Sequence, residues 1–148
     1  MYLNDEYFQT VVQNMPLVSF DFIIKNNAAH ILLGKRKNRP ARGYWFVPGG
    51  RICKNESFAD AFKRLTLAEL GQNFSIDEAV FLGAFEHLYV DSVFGSESST
   101  HYVVLAYELS MNHPLDSLPL DQHDKYQWFS INDLLEDNNV HENTKAYF

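Results

Sequence analysis

A chain of 148 residues suffices for one domain with a sizeable core, and 46% apolar with 15% aromatic residues excludes disorder. The net charge of −7 argues against a nucleic-acid partner, and no apolar run approaches the ~20 residues that span a bilayer. The start, MYLNDEYF, is too polar for a secretory signal, and a single cysteine, Cys53, allows no internal disulfide, so a cytoplasmic protein is expected.

Asp5 to Val12 reads as a short first helix. Leu17 to Ile24 is a strand pattern, and so is Ile31 to Arg36, entered through the turn-like Asn26-Asn27. Tyr44 to Val47 is a short aromatic strand ended by Pro48-Gly49-Gly50. Ser57 with Asp60 three residues on resembles a capping box, and Gly71 suits a helix C-terminus. Between them Phe58, Phe62 and Leu65 form the apolar stripe of one amphipathic helix. Val80 to Phe85 and His101 to Leu109 read as strands. Tyr126 to Phe129 is a last strand, followed by Ser130 capping a helix to about Glu136. No repeat, linker or low-complexity stretch interrupts residues 1–148, which read as a single domain. Strands with one central and one late helix predict an α+β fold, an α/β/α sandwich around a mixed β-sheet.

The charge is uneven. Residues 25–54 hold eight of the twelve basic residues (Lys25, Lys35, Arg36, Lys37, Arg39, Arg42, Arg51, Lys54) and no acid. The zone runs directly into Gly49-Gly50, so a compact anion such as a nucleoside diphosphate is a better reading than a solvated basic face. Asp21 stands in the otherwise hydrophobic LVSFDFII, either paired with a cation or facing a pocket. The segment Leu120-Asp121-Gln122-His123-Asp124-Lys125 reads as a polar loop holding a potential general base. His30, His113 and His141 read as surface residues. His87 and His101, on strand patterns, are core or pocket residues. Cys53 reads as a loop side chain, since no His/Asn partner pattern surrounds it.

Residues 49–71, GGRICKNESFADAFKRLTLAELG, are the most informative. Gly50, Glu56, Arg64, Glu69 and Gly71 match the spacing G-x5-E-x7-R-E-U-x-E-E-x-G, the Nudix box, where U is a bulky aliphatic. The other acidic slots hold Leu65 and Ala68, and the U slot holds Thr66. Acids at 65, 68 and 69 would share a helix face and bind hard divalent cations. Only Glu69 remains. Fewer metal ions and chemistry other than attack on phosphorus are therefore expected.

Further stretches extend the match: PLVSFDFI (16–23), LLGKRKNRPARGYWFVPGGR (32–51), THYVVLAYE (100–108), DQHDKYQW (121–128) and NVHENTKAYF (139–148). With the incomplete box RLTLAELG, these resemble the GDP-mannose mannosyl hydrolases, an atypical branch of the Nudix family. The resemblance implies the Nudix fold, a homodimer, and Mg²⁺-dependent hydrolysis of GDP-α-D-mannose, with GDP-glucose as a further substrate, to GDP and free sugar. Water attacks the anomeric carbon with inversion. By position, it implies one Mg²⁺ per subunit held by Gly49, Glu69 and Gln122. It implies His123 as general base with Asp21 beside the sugar. Arg36, Arg51 and Tyr102 would bind the diphosphate, with support from Arg64. Tyr2, Leu3 and Phe8 would help enclose the guanine. The alternatives are a conventional Nudix pyrophosphatase cleaving P–O–P, and a non-catalytic nucleotide-sensing Nudix domain.

Overall fold

The segment Leu17–Lys25 (β1) is buried at nearly every position, so it belongs at the centre of a sheet. The computed structural model, which describes residues 2–112, 115–120 and 123–148, places it there. Strand β1 runs parallel to Thr100–Ser110 (β6) along its full length, from Leu17 opposite Tyr102 to Lys25 opposite Ser110. Val80–Tyr89 (β5) pairs antiparallel with β6. On its other side β1 pairs with two strands in turn. Its first half meets Gly49–Arg51 (β4), and Lys25 meets Ile31 of Ile31–Arg36 (β2). Strand β2 then pairs with Trp45–Phe46 (β3) and with His123–Phe129 (β7). The sheet is thus mixed, as the sequence predicts.

Alternation along β1 divides the core. Phe20, Phe22 and Ile24 pack with Ala61, Phe62, Leu65 and Leu70 of the helix Phe58–Leu70 (α2). Ile23, on the opposite face, packs with Leu33, Phe46, Ala106 and Leu134, the last from Ile131–Glu136 (α3). Ser19 and Asp21 share that second face and are buried. A first helix, Asp5–Asn14 (α1), is capped by Asn4, whose side chain accepts from the Tyr7 N–H.

The predicted elements differ mainly at their ends. β1, β5, β6 and α1 run longer than their patterns suggested. β4 and a last short helix, Glu142–Lys145 (α4), carry no strong local signal. Ser57 caps α2 by accepting from the Asp60 N–H, but the box does not close as predicted. The Asp60 carboxylate takes the Ser57 hydroxyl proton (2.8 Å) rather than a backbone N–H. The segment before Tyr126 is strand from His123 onward rather than loop, because its backbone completes the ladder to β2. His141 is half-buried as the N-cap of α4 rather than on the surface.

Thr66, in the aliphatic slot of the box, is fully buried and satisfied. Its hydroxyl donates to the Phe62 carbonyl (2.8 Å) and accepts from the Phe74 N–H (3.0 Å), fixing the chain that leaves α2. Thr66→Val keeps the volume and strands the Phe74 N–H. It is expected to cost about 1–3 kcal/mol, read as a lower urea midpoint at unchanged slope.

At the other end of α2, Arg64 meets Glu56 through two hydrogen bonds, of 2.6 and 2.9 Å, and donates to the Arg51 carbonyl (2.9 Å). The hydrogen bond from Arg64 is the main cause that holds the Glu56 carboxyl down at about 2. A carboxyl lowered on folding gives stability that is present above its ordinary value near 4.5 and lost as pH falls toward about 2. The melting temperature should therefore drop through that window. Glu56→Gln should flatten the drop and cost about 1.5–3 kcal/mol at pH 7, by thermal unfolding across pH.

Candidate active site

The register between β1 and β4 creates the site. It sets Ser19 opposite Arg51 and Asp21 opposite Gly49. Gly49 has no room for a side chain: a Cβ there would collide with the Phe20 carbonyl and stand 2.5 Å from Asp21 Oδ1. Alternation places Asp21, Tyr102, Val104 and His87 on the same face of neighbouring strands. They line an inner cavity with Arg36, Phe46, Gly49, Arg51 and Tyr89. An outer cavity of about 370 Å³ shares Arg36, Pro40, Gly49, Gly50, Arg51 and Tyr102 with the inner one, so the two form one cleft. The outer part is closed by Tyr2, Phe8 and Val12 on one side and by Arg64, Leu65, Ala68 and Glu69 of α2 on the other.

Cations dominate the outer cleft. Arg36, Arg39, Arg51 and Arg64 all face it. The Arg36 Nε donates to the Pro40 carbonyl (2.9 Å), which orients the guanidinium at the end of β2. The Arg51 guanidinium lies 4.0 Å from the centre of the Phe8 ring. Arg64 is engaged by Glu56, by the Arg51 carbonyl and by the Tyr2 hydroxyl, to which it donates at 3.2 Å. It therefore buttresses the loop that carries Arg51. Arg39 forms an ion pair with Asp91 (3.2 Å) that ties the segment after β2 to the segment after β5.

The single carboxylate of α2 in this cleft is buried. Glu69 Oε2 has no hydrogen-bond partner among the described residues and stands 3.4 Å from His123 Nε2. Leu65 is a core residue whose Cδ2 sits where a Cβ of Gly50 would be, and Ala68 presents only a methyl group. A buried carboxylate oxygen that makes no hydrogen bond among the described residues, in a cavity that Gly49 and Gly50 also line, fits a Mg²⁺ that takes one or two protein ligands and completes its shell with waters and phosphate oxygens. The described residues hold no cluster of three or more His, Cys, Asp or Glu. Gln122, the third expected ligand, lies outside the described residues.

At the inner end, burial pushes the Asp21 carboxyl up to about 7. A hydrogen bond from Tyr147 and the charge of Arg36 oppose that rise, while Glu69 adds to it. Tyr147 Oη donates to Asp21 Oδ2 at 2.5 Å and lies 3.3 Å from His87 Nε2. Burial brings the His87 imidazole down to about 4, so it is neutral near pH 7. Burial likewise raises Tyr102 and Tyr89.

The structure thus gathers Asp21, Arg36, Gly49, Arg51, Arg64, Glu69, Tyr102, Tyr2 and Phe8 around one cleft. Leu3 is exposed and faces neither cavity. His123 is 1% exposed and also lines neither. Its ring sits over Gly34, where a Cβ would collide with Nδ1 and Cγ, and Nδ1 has no partner among the described residues. His87, undecided from the sequence, belongs to the cleft, and so does Tyr89, which the sequence reading missed. Every second residue of GAFEHLY faces one way, which singles out Phe85, His87 and Tyr89. Tyr147, 126 positions from Asp21, had no local signal at all.

Comparison with known proteins bears on the family and the fold. A model of the NUDIX domain matches residues 15–148. The low-salt glycan biosynthesis protein Agl8 of Haloferax volcanii is 41% identical over 126 residues, covering 84% of this chain and 78% of that protein. The crystal structure of a MutT NUDIX hydrolase from Burkholderia pseudomallei superposes with a TM-score of 0.70 at 26% identity, covering 90% of this chain and 96% of that one. A MutT protein from Methanosarcina mazei Go1 superposes with a TM-score of 0.71 at 18% identity, over 90% and 91% of the two chains, which speaks to the fold. With the matched domain spanning the sheet, the glycine turn and the box helix, the chain belongs to the Nudix family of hydrolases.

Proposed function

We propose that this single Nudix domain hydrolyses GDP-α-D-mannose, and GDP-glucose as a further substrate, to GDP and free sugar, by attack of water on the anomeric carbon with inversion. The observation that carries the reading is the cleft itself, with arginines and one buried carboxylate at its outer end and Asp21, His87 and Tyr147 at its inner end. A relative described as a glycan biosynthesis protein supports a sugar nucleotide as substrate. The proposed protein acts in the cytoplasm as a homodimer.

In this reading Arg36, Arg51 and Tyr102 bind the diphosphate, Tyr2 and Phe8 border the guanine, and Arg64 holds the Arg51 loop. Glu69, the Gly49 carbonyl and Gln122 hold one Mg²⁺ per subunit. When bound, the ion neutralises charge on the diphosphate and makes GDP a better leaving group. Water oxygen forms the new bond to the anomeric carbon. The bond from that carbon to the GDP oxygen breaks with its electron pair, and the water proton passes to a base. Fewer carboxylates suffice, because phosphorus is not attacked.

The base has two candidates. The resemblance assigns His123, which stands beside Glu69 but reaches the sugar only by leaving its seat over Gly34. Asp21 already lines the inner cavity and is poised near neutrality. Loss of a general base costs ~10²–10⁴-fold in turnover. We expect His123→Gln to lose that much while keeping its affinity for GDP-mannose. A near-normal His123→Gln beside an impaired Asp21→Asn would transfer the role to Asp21.

Hydrolysis in ¹⁸O-water with Mg²⁺ tests the reaction itself. Label is expected on the sugar alone, with β-mannose as first product. Label on phosphate, with GMP and mannose phosphate released, would restore the pyrophosphatase; binding without turnover would favour a sensor. Glu69→Gln should raise the Mg²⁺ concentration for half-maximal activity at least ~10-fold, since even outer-shell changes cost that much. An unchanged midpoint would remove Glu69 from the site.

A further inference from the structure

We propose that Tyr147 is a positioning residue that locks Asp21 in one orientation and His87 in one tautomer, so that Asp21 presents a single oxygen to the sugar end of the cleft. This rests on the proposed function for its catalytic consequence, but not for its geometry.

Tyr147 reaches the site from beyond α4. Its ring packs edge-on against Phe85, centroids 4.8 Å apart, and lies tilted against His87 at 5.8 Å. Phe85 and His87 are two residues apart on β5, so one face of one strand sets the ring's position. The hydroxyl then falls between Asp21 Oδ2, at 2.5 Å, and His87 Nε2, at 3.3 Å.

A tyrosine hydroxyl has one proton. When Asp21 is ionised, which holds at pH above the value near 7 to which burial lifts it and is the condition for the tautomer measurement, its carboxylate is acceptor-only and closer, so that proton goes to Oδ2. The remaining contact then requires His87 Nε2 to carry a hydrogen and donate to Tyr147 Oη. The chain has one direction, from His87 through Tyr147 to Asp21. Oδ1, the other carboxylate oxygen, lies where a Gly49 side chain would begin. Tyr147 therefore occupies the oxygen turned away from Gly49 and leaves Oδ1 for a water or a sugar hydroxyl. The arginines and Glu69 make no hydrogen bond to this chain among the described residues, and Arg36 and Glu69 act on Asp21 only through their charges, so the loss of the Tyr147 hydroxyl should fall chiefly on the sugar end.

The test uses the full chain and its Tyr147→Phe variant, which keeps the ring packing and removes the hydroxyl. Long-range ¹H–¹⁵N correlation of the imidazoles, assigned with His87→Asn, reads the tautomer without any substrate. The parent is expected to show His87 with hydrogen on Nε2 alone. Tyr147→Phe should show mixed tautomers. With GDP-mannose and Mg²⁺, the variant should lose about 5–10-fold in kcat, the worth of one net hydrogen bond. Its affinity for GDP, measured by calorimetry, should match the parent's. A parent His87 with hydrogen on Nδ1, or a tautomer unmoved by Tyr147→Phe, overturns the proposal. So does an equal loss in GDP affinity, which would mark a structural role. Should the parent hydrolyse no GDP-mannose while the tautomer shift appears, the geometric lock stands and the proposed reaction is what fails.

Discussion

The three-residue pairing of β1 with β4 is the constraint on which the cleft depends. It makes the backbone of Gly49–Arg51 continuous with the sheet, so the glycine turn is fixed by ladder hydrogen bonds. The pairing sets Asp21 beside Gly49, at a distance that admits only hydrogen as a side chain there. It also places Arg51 over the opening, and it delivers the chain through Cys53 to Ser57, where α2 begins. Gly49, Arg51 and the buried acid Asp21 are thus referred to one short stretch of sheet. The parallel neighbour β6 adds Tyr102 and Val104 to the same face without a change of register.

Helix α2 shows how the box helix serves two ends. A face that elsewhere in the box pattern carries three acids here carries Leu65, Ala68 and Glu69. Leu65 packs into the core under Gly50. Replacing it by a carboxylate would bury a charge against Phe62 and the sheet, at a cost that only a bound cation could offset. The apolar slot and the buried hydroxyl of Thr66 together make the helix better anchored and less charged. The scarcity of acids on this face is therefore built into the packing of α2, and is not a matter of one missing side chain.

Much of this was legible in the sequence where periodicity is strong. The α2 stripe, the Ser57 and Gly71 caps, and the long apolar β1 emerge from spacing alone. The basic segment with the box glycines announces an anion cleft. Other parts were silent for physical reasons. β4 is two glycines and an arginine, a composition that propensity rejects and that only pairing with β1 stabilises. His123 looks like loop chemistry because Asp, Gln, Asp and Lys surround it, and its strand character comes from the partner strand β2. Tyr147 acquires meaning only when the fold brings the last turn against β5. Local pattern reports which face an element buries. It does not report which distant residue meets it there.

The Arg39–Asp91 pair has a consequence for how the cleft meets salt. Its partners are 34% and 22% exposed, and such pairs are worth only ~0–1 kcal/mol. The strap it makes between the two segments beside the cleft is weak, and ions weaken it further. The same ions screen the attraction between the arginine-lined mouth and an incoming polyanion, over a Debye length of about 8 Å at physiological strength. Ionic strength therefore loosens the strap and weakens the attraction at the mouth at the same time.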